Sequence, residues 1–255
     1  MGVQRLRELS LFSGAGGGLY ATQYLLGWQT VAYCEIDPYC RRVLKQRIKD
    51  GIFDDAPIWD DASTFPGEEF RGKVDVISAG FPCQPFSVAG RGKGKADKRN
   101  GWPWVIRCVR QVRPRYLFLE NVPGLLAGSH GYFGQILSEL SAERYDVRWA
   151  CLSAAQCGAP HKRNRLWIVA TDTQRSLVRD EPGGWCGKSG DTAPKSPAYG
   201  ETQHVADAER AGWWATGTEI CRVAHGLANR KQRLTALGNG QCSVVAATAW
   251  RLLGG

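Results

Sequence analysis

A glycine-rich turn between a strand-like and a helix-like segment is the feature that most restricts the fold of this chain. Residues 7–12 have the character of a β-strand, residues 13–18 read Ser-Gly-Ala-Gly-Gly-Gly, and residues 19–27 can form a helix. This order lets backbone amides approach a ligand closely at a helix N-terminus. Because the spacing is not the full dinucleotide fingerprint, a plain tight turn is the alternative.

An acidic residue follows the second strand-like run. Glu35 comes directly after the strand-like residues 30–34, and Pro38 begins a basic helix that extends to Lys49. An acid at this position, about twenty residues after a glycine turn, can accept hydrogen bonds from ribose hydroxyls. The turn and Glu35 together favour a cofactor that contains adenosine. Asp61, in a short acidic stretch, either caps a helix or adds a polar contact to the adenine.

A cysteine between two prolines follows the next apolar run. Residues 74–79 lead into Gly80-Phe81-Pro82-Cys83-Gln84-Pro85-Phe86-Ser87. Proline fixes φ and denies regular structure, so the motif predicts a thiol presented at the mouth of a strand. The alternative is a buried structural cysteine, since free cysteine commonly acts as a small hydrophobic residue.

Positive charge is concentrated just after this cysteine. The chain has a net charge of +9, and the stretch from Arg91 to Arg115 holds nine basic residues and one acid. Lysine and arginine gain affinity for a phosphate backbone by displacing its counterions. A basic stretch beside a candidate nucleophile therefore suggests a polyanionic substrate, with a solvated basic face as the alternative.

Two further sites of charge are predicted at the same edge of the sheet. A strand over residues 115–119 ends in Glu120, which places a carboxyl beside Cys83 and Glu35 where open α/β sheets bind ligands. Arg163 and Arg165 alternate at the start of a strand and so share a face. They predict a guanidinium fork beside the polar edge of a substrate. A solvated cap and a pair of exposed charges are the alternatives.

The remaining composition restricts the class of protein. Residues 172–220 are polar and rich in Gly, Ser, Thr and Pro, which indicates an insertion. After it, residues 237–241 are predicted to form a turn, and a helix over residues 243–253 returns to the main domain. The nine cysteines are odd in number and lack a Cys-x-x-Cys pair, which argues against a zinc site or disulfide framework and favours a reducing compartment. Without an apolar run of membrane-spanning length or a signal peptide, we expect a cytoplasmic protein.

Taken in order, these motifs resemble those of the DNA (cytosine-5) methyltransferases, over residues 6–170 and 222–255. The matching segments are Phe12–Gly17, Glu35, Gly80–Ser87, Glu120–Val122, Arg163–Arg165 and Gly238–Gly240. The resemblance implies an α/β, Rossmann-like S-adenosylmethionine-dependent methyltransferase fold with a small variable target-recognition insertion. We expect a catalytic and cofactor-binding domain over residues 1–171, a short target-recognition region over 172–221, and a C-terminal segment over 222–255 that returns to the catalytic domain.

The resemblance also implies a reaction, the transfer of a methyl group from S-adenosylmethionine to C5 of a cytosine flipped out of duplex DNA. Cys83 would form a covalent bond to C6, a protonated Glu120 would act at N3, Arg165 at O2, and Arg163 would orient the loop and Cys83. Nearby positive charge would help to ionise the thiol. The protein would act as a monomer on a short cytosine-bearing site, in restriction-modification, with an associated restriction endonuclease as a possible partner.

Contacts carried over from the resemblance fall into two groups. Cofactor contacts are assigned to Phe12, Ser13, Gly14, Ala15, Gly16, Gly17, Leu19, Glu35, Ile36, Asp61, Gly80, Phe81, Pro82 and Asn239. DNA contacts are assigned to Gln84, Ser87, Arg91, Lys93, Lys95 and Arg99, in a loop over residues 87–101 that we expect to close over DNA. No metal is expected.

Two residues depart from the family pattern. His161 stands where the family has Gln, and Gln241 stands near a position that is commonly hydrophobic. The recognition region is also short for the family. The alternative functions are methylation of cytosine in RNA, DNA binding without catalysis, and nicotinamide-dependent oxidoreduction. The last leaves Cys83 and the basic loop unexplained.

Overall fold

One sheet organises the part of the chain that the structure describes. The structure is a computed structural model that describes residues 5–83, 100–127, 131–176 and 230–255. Its strands are β1 (Arg7–Leu11), β2 (Gln29–Cys34), β3 (Ile58–Trp59), β4 (Val76–Gly80), β5 (Tyr116–Asn121), β6 (Tyr145–Leu152) and β7 (Arg165–Asp172). They lie in the order β3-β2-β1-β4-β5-β7-β6.

The direction of the strands places the site. The five strands from β3 to β5 are parallel, while β7 runs antiparallel to both β5 and β6. Chain order reverses between β1 and β4, which is the switch point where open α/β sheets bind ligands at the carboxyl ends of their strands. This topology confirms the predicted Rossmann-like α/β fold class.

Helices cover both faces of the sheet. They are α1 (Gly17–Leu19), which continues as a wider π-helical turn over Tyr20–Leu25, α2 (Pro38–Lys49), α3 (Trp102–Val112), α4 (Gly124–Ala127), α5 (Tyr132–Ala142), α6 (Thr173–Ser176), α7 (Arg230–Asn239) and α8 (Ser243–Leu252). Short 3₁₀ turns occupy Gly67–Phe70 and Ala155–Cys157. At the start of α2, Asp37 accepts a hydrogen bond from the backbone N–H of Cys40 at 2.8 Å, and Pro38 needs no donor partner there.

Hydrophobic clusters on both faces hold the helices to the sheet. On one face α3 and α5 bury Trp102, Val105 and Ile136 against the strands. On the other face α8 places Trp250 edge-on to Trp28, with ring centroids 4.7 Å apart. The C-terminal helix is thus fixed against the same sheet whose strand ends carry the predicted site residues.

Local structure differs from the sequence prediction at three places. β5 extends through Glu120 to Asn121, so Glu120 lies within the strand and not after it. Residues 237–239, predicted as a turn, form the last part of α7, because the preceding Lys, Gln, Arg, Leu and Ala are good helix formers and a glycine near a helix end costs little. Arg163 precedes β7 with a positive φ of 29° and so does not share the alternation of Arg165.

The described residues show no disulfide and no group that could bind a metal ion. All seven cysteines in these ranges are free, and no group of His, Cys, Asp and Glu there could hold a metal ion. No helix in the same ranges has the length and apolar character needed to cross a membrane. The predicted DNA-contacting loop and nearly all of the predicted target-recognition region lie outside the described residues.

Candidate active site

A cavity of 620 Å³ lies at the carboxyl ends of the parallel strands. Four strands contribute to it: Phe12 and Gly14 follow β1, Glu35 follows β2, Gly80 ends β4 and Glu120 lies near the end of β5. The other lining residues are Ile36, Asp37, Cys40, Phe81, Pro82, Cys83, Asn121, Val122, Arg165, Lys231, Gln232, Thr235, Ala236, Gly238 and Asn239. The cavity therefore joins the predicted cofactor residues to the predicted catalytic residues.

The buried carboxylate of Glu35 organises the cofactor end. One of its oxygens accepts the backbone N–H of Gly14 at 2.6 Å, and the other accepts that of Asp37 at 2.8 Å. These bonds fix the glycine turn to the start of α2. Each carboxylate oxygen has a second lone pair, so Glu35 can still accept from a hydroxyl in the cavity.

Glycine is required in this turn for identifiable reasons. Gly14 has a φ of 58° and Gly16 a φ of 92°, both in the left-handed region that favours glycine. A Cβ on Gly16 would lie 2.5 Å from Cε2 of Phe53. At Gly16, therefore, the close neighbour is the ring of Phe53.

Most of the predicted cofactor residues meet at this end. A second cavity of 40 Å³ adjoins the glycine turn and is lined by Ser13, Gly17 and Leu19. Ala15, Gly16 and Asp61 line neither cavity. Asp61 instead accepts the backbone N–H of Ser63 at 2.7 Å. The hydrogen bonds from Ser63 lower the pKa of this carboxyl.

Cys83 lies at the opposite end of the cavity with 5% of its surface exposed. It pairs with Asn100 in an antiparallel bridge, and the N–H of Gly101 donates to the carbonyl of Pro82 at 2.9 Å. The side chain of Asn121, at the end of β5, donates to the carbonyl of Phe81 at 3.1 Å. Burial raises the pKa of Cys83 to about 12.

This pKa differs from the sequence expectation. We expected nearby positive charge to favour the thiolate, but among the described residues burial is the cause that acts on Cys83. Burial removes water from the thiolate, and no cation in these ranges compensates for that loss. Of the predicted basic stretch, residues 91–99 lie outside the described residues, and the rest belongs to α3 and the residues beside it.

Glu120 and Arg165 form an ion pair in the wall of the cavity. Glu120 pairs in register with Gly80 of β4, and its Oε1 lies 2.9 Å from Nε of Arg165, the first residue of β7. Its side chain is 12% exposed and that of Arg165 is 25% exposed. Burial raises the pKa of Glu120, while the charges of Arg165 and Arg163 oppose that rise. The raised pKa means that Glu120 takes up a proton more readily than an exposed carboxyl does.

The predicted guanidinium fork is not formed. Arg163 turns away from Arg165, and its Nη2 donates to the carbonyls of Gly238, at 3.0 Å, and Gly240. We expected Arg163 to orient the loop and Cys83, but its hydrogen bonds in the structure are to the end of α7 and the residue that follows it. The positive φ of Arg163 explains the difference, because it breaks the strand-like alternation that the prediction assumed.

Several lining residues were missed in the sequence. Asp37 and Cys40 belong to the first turn of α2, and the Asp-Pro helix start that follows Glu35 was a usable signal. Lys231 and Thr235 were missed as well; with the predicted Asn239 they recur every fourth residue and so share one face of α7. That pattern was obscured because the end of α7 was read as a turn.

Comparison with known proteins agrees with this geometry. The profile of the family described as C-5 cytosine-specific DNA methylase matches residues 6–212. This chain belongs to that family. The family assignment confirms the resemblance inferred from the ordered motifs.

The curated relatives that the chain matches are longer than the chain. The type II methyltransferase M.AplI of Arthrospira platensis is 34% identical over 66% of this chain and 46% of its own length. M.NaeI of Lentzea aerocolonigenes, also a type II methyltransferase, is 28% identical over 89% of this chain and 52% of its own length. The chain thus spans about half the length of these relatives.

A solved structure supports the fold of this chain. The crystal structure of the S. pombe Dnmt2 methyltransferase superimposes with a TM-score of 0.53, covering 71% of this chain and 53% of the other. The two sequences are 24% identical in that comparison, so the likeness concerns the fold alone.

Proposed function

We propose that this chain transfers a methyl group from S-adenosylmethionine to C5 of a cytosine flipped out of duplex DNA. The observation that carries the proposal is the single cavity that contains Cys83, Glu120 and Arg165 at one end and Glu35 with the glycine turn at the other. A methyl donor and a base could occupy it together, as transfer between them requires.

The cofactor end fits S-adenosylmethionine. The volume of 620 Å³ lies in the range of small-molecule sites. Glu35 keeps acceptor capacity for ribose hydroxyls, while Phe12, Ile36 and Asn239 line the cavity near it. When bound, S-adenosylmethionine would supply an electrophilic methyl group on a sulfonium.

Cys83 would activate the cytosine. C5 of cytosine is a poor nucleophile because the ring is aromatic, and addition of a thiolate to C6 converts the ring to an enamine whose C5 can attack an electrophile. Since burial raises the pKa of Cys83 to about 12, the free protein holds the thiol protonated at neutral pH. The thiol proton must therefore leave as the base occupies the cavity.

Glu120 and Arg165 would stabilise the charge that this addition creates. Attack at C6 moves electron density toward N3 and O2 of the ring. The protonated Glu120 would donate to N3, and the guanidinium of Arg165 would approach O2. After methylation a base, water included, removes the C5 proton and the Cys83 thiol is eliminated, which restores the aromatic ring.

Duplex DNA is the proposed substrate of this chain. The relatives M.AplI and M.NaeI carry the name type II methyltransferase, and we extend from them a short cytosine-bearing target site and an associated restriction endonuclease. A base inside a duplex cannot reach Cys83, so the nucleotide must be extruded at a cost of a few kcal/mol. The chain is proposed to act on this DNA as a monomer, as the family resemblance implies.

Covalent trapping tests this function. The full chain is incubated with S-adenosylmethionine and duplex DNA containing 5-fluorocytosine, which prevents elimination, and adducts are resolved on a denaturing gel. The wild-type protein should form an adduct that Cys83→Ser lacks. Cys151→Ser is the matched control, because Cys151 is a free cysteine in β6 that lines neither cavity. An adduct in Cys83→Ser, or one formed with 5-fluorocytosine RNA and not with DNA, contradicts the proposal.

A further inference from the structure

Residues 238–243, here called the C-terminal link, run from the last turn of α7 to the first residue of α8. Gly238 and Asn239 line the larger cavity, and Asn239, Gly240 and Gln241 line the smaller one. Ser243 Oγ donates to the carbonyl of Gly17 at 2.8 Å. A Cβ on Gly17 would lie 2.8 Å from the carbonyl oxygen of Gln241, and one on Gly18 would lie 2.5 Å from Oε1 of Gln241. These two glycines therefore make room for the link, which rests directly on the turn of the cofactor end.

Gln241 also reaches the catalytic end. A Cβ on Gly80 would lie 3.0 Å from Nε2 of Gln241 and 3.2 Å from Oε2 of Glu120. The amide of Gln241 and the carboxyl of Glu120 thus flank the same glycine at the end of β4. One side chain of the link contacts both the turn after β1 and the neighbourhood of Glu120.

Arg163 holds the link from the side of β7. Its Nη2 donates to the carbonyls of Gly238 and Gly240, the two neighbours of Asn239, which lines the cavity. Two residues further along the chain, Arg165 binds Glu120. The positive φ of Arg163 lets these two arginines face different partners.

From these contacts we infer that Arg163 is a positioning residue. It fixes the C-terminal link and so keeps a constant distance between the cofactor end and the catalytic end of the cavity. The inference rests on the proposed function. Methyl transfer needs reacting atoms about 3–3.5 Å apart, and a misplacement of about 1 Å can cost roughly 10²-fold in rate. Because Arg163 holds both neighbours of Asn239, its loss would let Asn239 and the adjoining wall of the cavity move.

Charge and geometry can be separated at this residue. Arg163 also acts electrostatically on Glu120, since its charge opposes the rise of that carboxyl's pKa. Lysine keeps the charge but lacks the planar guanidinium that spans two carbonyls. A positioning role predicts that Arg163→Lys behaves more like Arg163→Met than like wild type, whereas an electrostatic role predicts that lysine restores activity.

The test measures methyl transfer and ligand affinity on the full chain. For wild type, Arg163→Lys and Arg163→Met, kcat and KM are measured with labelled S-adenosylmethionine and duplex DNA, and S-adenosylhomocysteine binding is measured by calorimetry without DNA. Arg163→Met should lose about 10²-fold in kcat and about tenfold in affinity. Arg5→Lys is the matched control, since Arg5 also donates to two backbone carbonyls, those of Gly27 and Trp28, and lines neither cavity.

Gln241→Ala provides an independent check if Arg163→Met does not fold. If the link connects the two ends, the loss in Arg163→Lys/Gln241→Ala is smaller than the product of the single losses. The inference is wrong if Arg163→Met has the affinity and kcat of Arg5→Lys, or if Arg163→Lys is fully active. If the wild-type protein binds S-adenosylhomocysteine but does not methylate DNA, the proposed function is wrong, and the affinities of the variants still test the role of Arg163. If the wild-type protein does not bind S-adenosylhomocysteine, both the proposed function and the inference are wrong.

Discussion

Two glutamates in the sheet, Glu8 and Glu120, are both removed from water, yet only one of them belongs to the candidate site. Glu8 in β1 is 0% exposed, and its carboxylate accepts hydroxyls from Thr22 at 2.8 Å, from Thr30 at 2.9 Å and from Ser78. Glu120 is 12% exposed, lines the cavity and meets Arg165.

The difference shows that a raised pKa alone does not mark a catalytic acid. Burial raises the pKa of both groups. Against that rise, Glu8 has three neutral hydroxyls and Glu120 has two guanidinium groups. Glu8 is second in β1 and Glu120 is fifth in β5, so only Glu120 reaches the strand end where a ligand can approach.

The largest expected effect concerns Glu120. Glu120→Gln keeps the size of the side chain but removes the acid, so kcat for DNA methylation should fall by about 10²–10⁴-fold, the range of general acid catalysis. Stability should change little, because Arg165 is 25% exposed and remains hydrated. Steady-state kinetics and urea unfolding of the same preparation measure both. Near wild-type kcat would place Glu120 with Glu8 among the structural acids.

At Glu8 we expect a smaller effect of the opposite kind, a loss of stability without a loss of kcat. Glu8→Ala leaves the hydroxyls of Thr22, Thr30 and Ser78 without their buried acceptor and opens a cavity, which should cost about 3 kcal/mol of unfolding free energy. The kcat per folded molecule should be unchanged, because Glu8 lines neither cavity. Urea unfolding and active-site titration measure the two quantities. A loss in kcat with unchanged stability would show that Glu8 acts on the site.

The sequence predicted the edge of the sheet better than it predicted the contacts there. Glu35, Cys83 and Glu120 line one cavity because each lies near the carboxyl end of a parallel strand, and parallel strands end at the same edge. Arg165 joins them because the antiparallel strand β7 begins at that edge. Periodicity and glycine placement suffice to find such positions. The Rossmann-like fold follows from the same signals.

Contacts between distant segments were not predictable in the same way. Arg163 was paired with Arg165 by alternation, but one backbone φ turned it toward carbonyls more than seventy residues away. Gly17 and Gly18 were read as leaving space for a ligand, whereas the close neighbour at both is Gln241. No periodic pattern in the sequence marks the buried Glu8, since its partners come from the π-helical turn after α1, from β2 and from β4.

The smallest expected effect is a difference in pH dependence. The folded-state pKa of Glu8 is raised by burial, so its contribution to stability is fully present below the unfolded value of about 4.3 and is lost as pH rises through the folded pKa. Glu8→Gln removes this titration, and the wild type should lose stability relative to it by up to about 1.4 kcal/mol per pH unit within that window. Urea unfolding between pH 4.5 and 8 measures the difference. Glu120→Gln should give a weaker difference of the same sign, because Arg165 and Arg163 oppose the effect of burial there. Equal pH dependence in wild type and Glu8→Gln would mean that the three hydroxyls fully offset the burial of this carboxylate, and the contrast between the two acids would then rest on position in the strand alone.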